Sequence, residues 1–508
     1  MAMGGQVDPG NRHRGSLLIS SPQGHSGKTT VTLGLCYAFR RRGLSIQPFK
    51  KGPDYIDPSW LTIAAGRSCR NLDLFLIPRD LLIQVFEQTS REANLAIVEG
   101  AMGLYDGLDS HSTTAEIARL FGISILLVVN TSRMTGSIAA MVTGYQQFQK
   151  EITIAGVILN YVSGPRHEKK LRDAVEEHCG IPVLGSLPKD EDLRIAERHL
   201  GLIPSLESNE DAESLVEQIG SKVETQFDLD AILRIAETAR PPCFSGEADQ
   251  FLPPRSRSPI PLLPSPYPSF SPPQGEGTGG GGVRSTGSPG VKIGVIRDRA
   301  FNFYYPENLE ALIDEGAEII YINSLKDRLP EVDGLYIGGG FPEFFLEELE
   351  ANLELRKDVA HAVKNGLPVY AECAGLMYLC RSISWQGKSY DMAGIIPSQV
   401  HLSKRPEGHG YVIAQITAEN PLFPVGLTVR GHEFHHSSLV DSGDLPFSYE
   451  IKKGKGIRGK RDGIVYRNLF ASYVHLHALG TPEWAKNFVS LAKKEKDNRL
   501  HGRPLMAD

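Results

Sequence analysis

Short apolar runs alternate with longer amphipathic stretches over residues 15–240. Leu17-Leu18-Ile19 reads as a strand, a Gly/Ser loop follows, and Thr29–Arg42 has helical spacing. Leu95–Val98, Ile125–Val129 and Ile154–Leu159 are further apolar runs of strand length. Strands separated by helix-length segments predict an α/β fold with a mostly parallel sheet. The rhythm restarts at Val291–Ile296 and continues through Ile319–Tyr321, Gly334–Ile337 and Pro368–Tyr370, with helices between. Beyond Cys373 the strands shorten, and a helix, Pro482–Lys496, closes the pattern. Between the two patterned regions, residues 241–290 hold 12 of the 33 prolines and a Gly279–Gly282 run, with no apolar period. That composition predicts a disordered linker. The expected organisation is a flexible N-terminus (1–14), an α/β domain (15–240), the linker (241–290), a second α/β domain (291–496) and a tail (497–508).

The 508 residues exceed one ordinary domain, and 41% hydrophobic content is enough for two sizeable cores. A formal charge of −6 gives no electrostatic basis for binding nucleic acid or an anionic membrane. The six cysteines show neither metal-ligand spacing nor a disulfide framework, which suits a reducing cytoplasm. Met1–Arg14 has no apolar core of a signal peptide, and runs such as Ile123–Val129 are too short to span a bilayer.

Ser20-Ser21-Pro22-Gln23-Gly24-His25-Ser26-Gly27-Lys28-Thr29-Thr30 lies between a strand and a helix, the context of a phosphate-binding P-loop. Backbone N–H groups around Gly24, Gly27 and Thr30 are expected to cradle phosphate. Lys28 reaches the β/γ oxygens and Thr29 offers a hydroxyl to Mg²⁺. Pro22 stands where the strict pattern has Gly, so the loop is a variant. Three acidic stretches follow: Lys50-Lys51-Gly52-Pro53-Asp54-Tyr55-Ile56-Asp57, Glu99 at the end of a buried strand, and Asp106 in a Gly-rich loop. Asp54 and Glu99 are candidate Mg²⁺ supports, and Asp57 and Asp106 candidate substrate contacts.

In the second half, Pro368-Val369-Tyr370-Ala371-Glu372-Cys373-Ala374-Gly375 places a thiol between a strand and a helix start. Such an elbow lifts a nucleophile clear of the sheet. The helix N-terminus is expected to lower the thiol pKa. Gly338-Gly339-Gly340 lets backbone amides approach a reacting centre, with the Ala374 amide as a second oxyanion donor. His475 is the candidate base for attack by Cys373 on an amide such as that of glutamine. The His-rich stretch Arg430–Ser437 lacks Cys or acid partners at zinc spacing, so hydrogen bonding or packing is the expected role.

These motifs occur in one order: the variant P-loop, Lys-Lys-Gly-Pro-Asp-Tyr-Ile-Asp-Pro, Glu-Gly-Ala-Met-Gly-Leu-Tyr-Asp-Gly, Gly-Gly-Gly-Phe-Pro-Glu, Ala-Glu-Cys-Ala-Gly-Leu-Met-Tyr-Leu and Ser-Tyr-Val-His-Leu-His. Together they resemble the cobyrinic acid a,c-diamide synthase family, over about residues 15–240 and 291–495. The resemblance implies a dethiobiotin-synthetase-like ATP domain followed by a class I glutamine amidotransferase domain. It implies Mg²⁺·ATP-dependent amidation of the a and c carboxylates of a corrin precursor through acyl phosphates, with glutamine or ammonia as nitrogen donor, in cobalamin biosynthesis. Cys373 falls on the family's nucleophile and His475 on the residue that raises its nucleophilicity. Lys28, Thr29 and Glu99 fall on the ATP·Mg²⁺ motif. A homodimer stays open. The family with Ni-sirohydrochlorin as acceptor shares the architecture, whereas the Lys-Lys-Gly-Pro-Asp stretch argues against cobyric acid synthase. A non-catalytic ATP-binding scaffold is the reading from another class, and the intact Cys373, His475 and Lys28 oppose it. Many class I amidotransferases carry His-x-Glu. Here the third position is His477, which leaves a Cys–His dyad and no identified group to orient His475.

Overall fold

A computed structural model describes His13 and residues 15–190, 193, 195–198, 201–208, 212–239, 290–440 and 444–501. The chain forms two compact units, Met1–Arg257 and Ser258–Asp508. The linker expected at 241–290 lies outside the described residues, apart from Gly290.

The first unit is built on strands β1 (Gly15–Ser20), β2 (Ile46–Lys51), β3 (Arg70–Leu72), β4 (Leu95–Glu99), β5 (Ser124–Asn130), β6 (Ile154–Val162) and β7 (Val183–Pro188). Their order is β3-β2-β4-β1-β5-β6-β7, and every pairing is parallel. Helices α1 (Lys28–Arg41), α2 (Ile56–Ala65), α3 (Arg79–Arg91), α4 (Thr114–Phe121), α5 (Ser137–Phe148) and α6 (Pro165–Cys179) connect them. A short hairpin of β8 (Glu197–Arg198) and β9 (Gly201–Leu202) precedes α7 (Ala212–Gln226) and α8 (Leu229–Ala236). Strands β1 and β4 are buried along their whole length, which explains their continuous apolar sequences. The strand order reverses at β1, with β4 on one side and β5 on the other. Such a switch point leaves a crevice at the carboxyl ends of the strands, where the loops after β1, β2 and β4 converge.

The second unit holds β10 (Val291–Ile296), β11 (Ala317–Ile322), β12 (Gly334–Ile337), β13 (Val369–Glu372), β14 (Cys380–Trp385), β15 (Lys388–Asp391) and β16 (Ile396–Leu402). It continues with β17 (Gly408–Ile416), β18 (Thr428–His435), β19 (Ser437–Val440), β20 (Phe447–Lys453), β21 (Arg461–Tyr466), β22 (Leu469–Ser472) and β23 (His475–Leu476). Its helices are α9 (Pro306–Asp314), α10 (Leu346–Ala351), α11 (Leu353–Lys364), α12 (Ala374–Leu379) and α13 (Glu483–Leu500). The main sheet runs β11-β10-β12-β13-β22-β21-β20-β17-β18-β23. Pairing is parallel from β11 to β22 and antiparallel beyond it. A second sheet, β15-β14-β16-β19, packs into the same core as Cys373 and Tyr473. Helix α13 extends past the expected Lys496, because Lys496 and Arg499 both pair with Asp333, at 3.1 and 2.7 Å. Among the described residues no helix is long and apolar enough to cross a membrane.

Candidate active sites

In the first unit the loop after β1 turns at Gly27, whose φ of 82° is left-handed. A Cβ there would stand 2.0 Å from Asn160 Nδ2, so only glycine fits. Lys28, Thr29 and Thr30 then open α1. Pro22 is accommodated because its carbonyl accepts from Tyr145 OH at 2.8 Å, while Leu104 N donates to Ser21 O at 2.8 Å. The Leu104 bond docks the Gly100–Gly107 loop against the P-loop, and the Tyr145 bond ties α5 to it. Lys28 Nζ folds across the junction, donating to Met102 O at 2.7 Å and Ser21 Oγ at 2.9 Å. Burial, and then the nearby Lys50, lower its pKa to about 8. Gly24 has open space around its α-carbon.

Three acids meet around Lys50: Asp54 just before α2, Asp57 in its first turn and Glu99 at the end of β4. Its ammonium lies 2.5 Å from Asp57 Oδ2, 2.7 Å from Glu99 Oε1 and 3.8 Å from Asp54 Oδ2. Thr29 Oγ1 donates to Glu99 Oε1 at 2.8 Å and lies 3.5 Å from Asp57 Oδ2. Burial works against the Lys50 charge, but Asp57, Glu99 and Asp54 outweigh it and raise its pKa. Burial raises Glu99. Burial and then Asp57 push Asp54 up to about 7. Asp57 is held low despite burial, chiefly by Lys50. Asp57, expected at the substrate, therefore sits within the Lys50 group beside Asp54 and Glu99. Asp54 also takes a turn-former's role, its Oδ1 accepting from Ile56 N at 2.8 Å at the start of α2. Asp106 stands apart and exposed, with Oδ2 accepting from Gly103 N at 2.9 Å. Lys50, at the hub, was not among the predicted site residues. Its signal was a lysine inside a strand buried at every position.

In the second unit Cys373 joins β13 to α12 with φ 48° and ψ −102°, a strained conformation for a residue with a Cβ. Its N–H donates to Ser472 O of β22 at 2.8 Å, and Gly375 N donates to Gly338 O at 3.1 Å. The nucleophile elbow and the glycine loop are thus stitched together. Tyr304 OH accepts from Gly338 N at 2.7 Å and holds that loop. A Cβ on Gly340 would meet Ala300 O at 2.1 Å, and one on Gly339 would meet His475 Cε1 at 2.5 Å. These glycines leave room for Ala300 and His475, and His475 packs directly against the loop. The thiol itself departs from expectation. Burial, followed by Glu343, drives its pKa up, and the hydrogen bond from the Ala374 amide only partly offsets this. Helix α12 has six residues, too short for its dipole to overcome desolvation. The resting group is a thiol that needs a base.

His475 Nδ1 lies 3.5 Å from Glu372 Oε2. Glu372 is buried and accepts from Tyr370 OH (2.7 Å), Tyr336 OH (3.1 Å) and Leu476 N (2.9 Å). His477 turns elsewhere, with Nε2 3.6 Å from Glu307 Oε2 and its ring 4.6 Å from Tyr305. The histidines of 432–436 diverge. His432 Nε2 meets Tyr305 OH at 2.8 Å, His435 stacks on Tyr473 at 3.7 Å, and His436 Nδ1 lies 3.3 Å from Ser403 O. They serve packing and hydrogen bonding. Phe434 O, between them, is 4.0 Å from Cys373 Sγ.

Residues 17–203 match the model of the CobQ/CobB/MinD/ParA nucleotide binding domain, and residues 292–483 that of the CobB/CobQ-like glutamine amidotransferase domain. The chain is 41% identical to the cobyrinate a,c-diamide synthase of Magnetococcus marinus, over 92% of this chain and 95% of that protein. It is 38% identical to that of Methanosarcina barkeri (95% and 97%) and 37% identical to that of Priestia megaterium (95% and 98%). Both halves are covered in each case, so the chain belongs to the cobyrinate a,c-diamide synthase family, ligases that carry a glutamine amidotransferase domain.

Proposed function

We propose that this chain hydrolyses glutamine at Cys373 and uses the ammonia for ATP-dependent amidation of the a and c carboxylates of cobyrinate, in the cytoplasm. The observation that carries the reading is the presence in one chain of a strained, buried thiol elbow and a Lys28–Thr29–Glu99 cluster at the loop before α1. In the second unit His475 takes the thiol proton as Sγ attacks the glutamine amide carbon. The Ala374 amide and the Gly339–Gly340 loop receive the oxyanion. Collapse gives a thioester, and ammonia leaves with the proton returned by His475. Water then attacks the thioester and releases glutamate.

In the first unit a substrate carboxylate takes the γ-phosphoryl group of ATP, and ammonia displaces phosphate from the acyl phosphate. Lys28 swings from Met102 O and Ser21 Oγ to the phosphate oxygens. With a pKa near 8 it carries its charge at neutral pH. Thr29, Asp54 and Glu99 fit Mg²⁺. They offer hard oxygen donors, and the buried Glu99 Oε2 has no hydrogen-bond partner among the described residues. Among the described residues no group of three or more His, Cys, Asp or Glu is arranged to hold a metal. That accords with an ion bound through one or two carboxylates and the nucleotide's phosphates. Mg²⁺ there would supply charge neutralisation to the phosphates. Asp106, exposed at the loop, is left for the acceptor.

The test is accurate-mass analysis after incubation with Mg²⁺·ATP, glutamine and cobyrinic acid. Two carboxylate-to-amide conversions that require ATP are expected, and Cys373→Ser should retain them with ammonia but not with glutamine. No conversion while glutaminase activity persists would refute the cobyrinate reading and turn the search to Ni-sirohydrochlorin.

A further inference from the structure

We infer that Glu372, the residue immediately before the nucleophile, is the positioning carboxylate of His475. The inference rests on the reading of the second unit as a glutaminase. A general base next to a nucleophile needs a third group to fix its tautomer and hold its ring. His477 occupies the position two residues after the base, carries no negative charge, and faces Glu307. Glu372 Oε2 lies 3.5 Å from His475 Nδ1, a distance that pairs with the imidazolium formed during attack.

The carboxylate is held on every side. Tyr370 OH and Leu476 N fix Oε1, and Tyr336 OH fixes Oε2. Leu476 N belongs to the residue that follows His475, so Glu372 grips the base through both its ring and its backbone. Burial raises the pKa of both tyrosines well above normal, so they stay protonated donors. A proton drawn to Nδ1 leaves Nε2 to accept from the thiol. That end of the ring faces the glycine loop, where a Cβ on Gly339 would be 3.3 Å from Nε2. A second titratable group against the ring is His432 on β18, with ring centroids 4.9 Å apart. Burial holds His432 well below its usual pKa, so it stays neutral. The strained turn explains how adjacent residues serve one base: Glu372 ends β13 in the sheet, and the backbone reverses at Cys373.

The test is Glu372→Gln in the full chain. Glutamine-driven amidation should lose about 100-fold in kcat, with KM for glutamine changed by no more than about twofold. Ammonia-driven amidation should be unchanged, which also reports folding. The acid limb of Cys373 alkylation by iodoacetamide should move to lower pH, because the imidazolium loses its counter-charge. Tyr336→Phe keeps the carboxylate and removes one donor to Oε2, so its limb should move to higher pH. A role confined to packing gives no such opposite shifts. Wild-type glutamine turnover with an unmoved limb in Glu372→Gln overturns the inference. If that variant also loses ammonia-driven turnover, Tyr336→Phe decides, and an unmoved limb there overturns it. A wild-type chain without glutaminase activity overturns the underlying reading as well.

Discussion

Replacing Lys50 with methionine removes one buried positive charge from among three carboxylates. The ammonium stands 2.7 Å from Glu99 and 2.5 Å from Asp57. At an effective dielectric of about 20, each contact is worth roughly 6 kcal/mol before desolvation is deducted. Breaking a buried pair on one side costs about 3–5 kcal/mol net, because the remaining charge is stranded. In a domain of this size, each kcal/mol lowers Tm by about 2–4 °C, so a fall on the order of 10 °C is expected. The sign of the pH dependence follows from Glu99, whose pKa burial already raises. Without Lys50 it rises further. An acid with a raised folded pKa loses stability as pH climbs through that value. The deficit should therefore be larger at pH 8 than at pH 5, and Mg²⁺ should recover part of it by supplying a substitute cation. Thermal melts of wild type and Lys50→Met at both pH values, with and without Mg²⁺, measure all three effects. A deficit under about 1 kcal/mol, or one equal at both pH values, would refute the reasoning.

Two further outcomes test other parts of the molecule. Gly339→Ala puts a Cβ 2.5 Å from His475 Cε1, so the ring must shift. Glutamine-driven turnover should fall by about 10- to 100-fold while ammonia-driven turnover holds, as steady-state rates with each donor would reveal. Asp462, fully buried behind Tyr473, is pushed up to about 7, foremost by burial, despite donation from Gly463 N at 2.6 Å. Its contribution to stability is largest below the ordinary carboxylate range and declines as pH rises through about 7. Asp462→Asn should therefore gain on wild type between pH 5 and pH 8, by up to about 3 kcal/mol, measured by urea unfolding at the two pH values.

The strand–loop–helix of Lys28 and the strand–elbow–helix of Cys373 were legible because both motifs are local, and the flanking apolar runs fix their context. The parallel core strands were legible for the same reason. What sequence could not supply was contact across long separations. Glu372 and His475 lie on different strands, β13 and β23, and no spacing rule joins them. Lys50 drew notice only as half of a basic pair, because its role depends on Glu99 from β4 and Asp57 from α2. The thiol pKa was misjudged because the elbow motif reports a helix start without its length or the depth of burial, and burial decides the sign.

The placement of β22 has a consequence for how the protein is made. Cys373 is tied through its N–H to Ser472, and β13 finds its neighbour β22 only after about a hundred further residues have been added. Such non-local pairing comes late in folding. While the ribosome is still adding β14 to β21, the elbow lacks one flank and His475 does not yet exist in the chain. A nascent molecule therefore holds Cys373 without Ser472 or His475 until the N-terminal unit has long since left the exit tunnel.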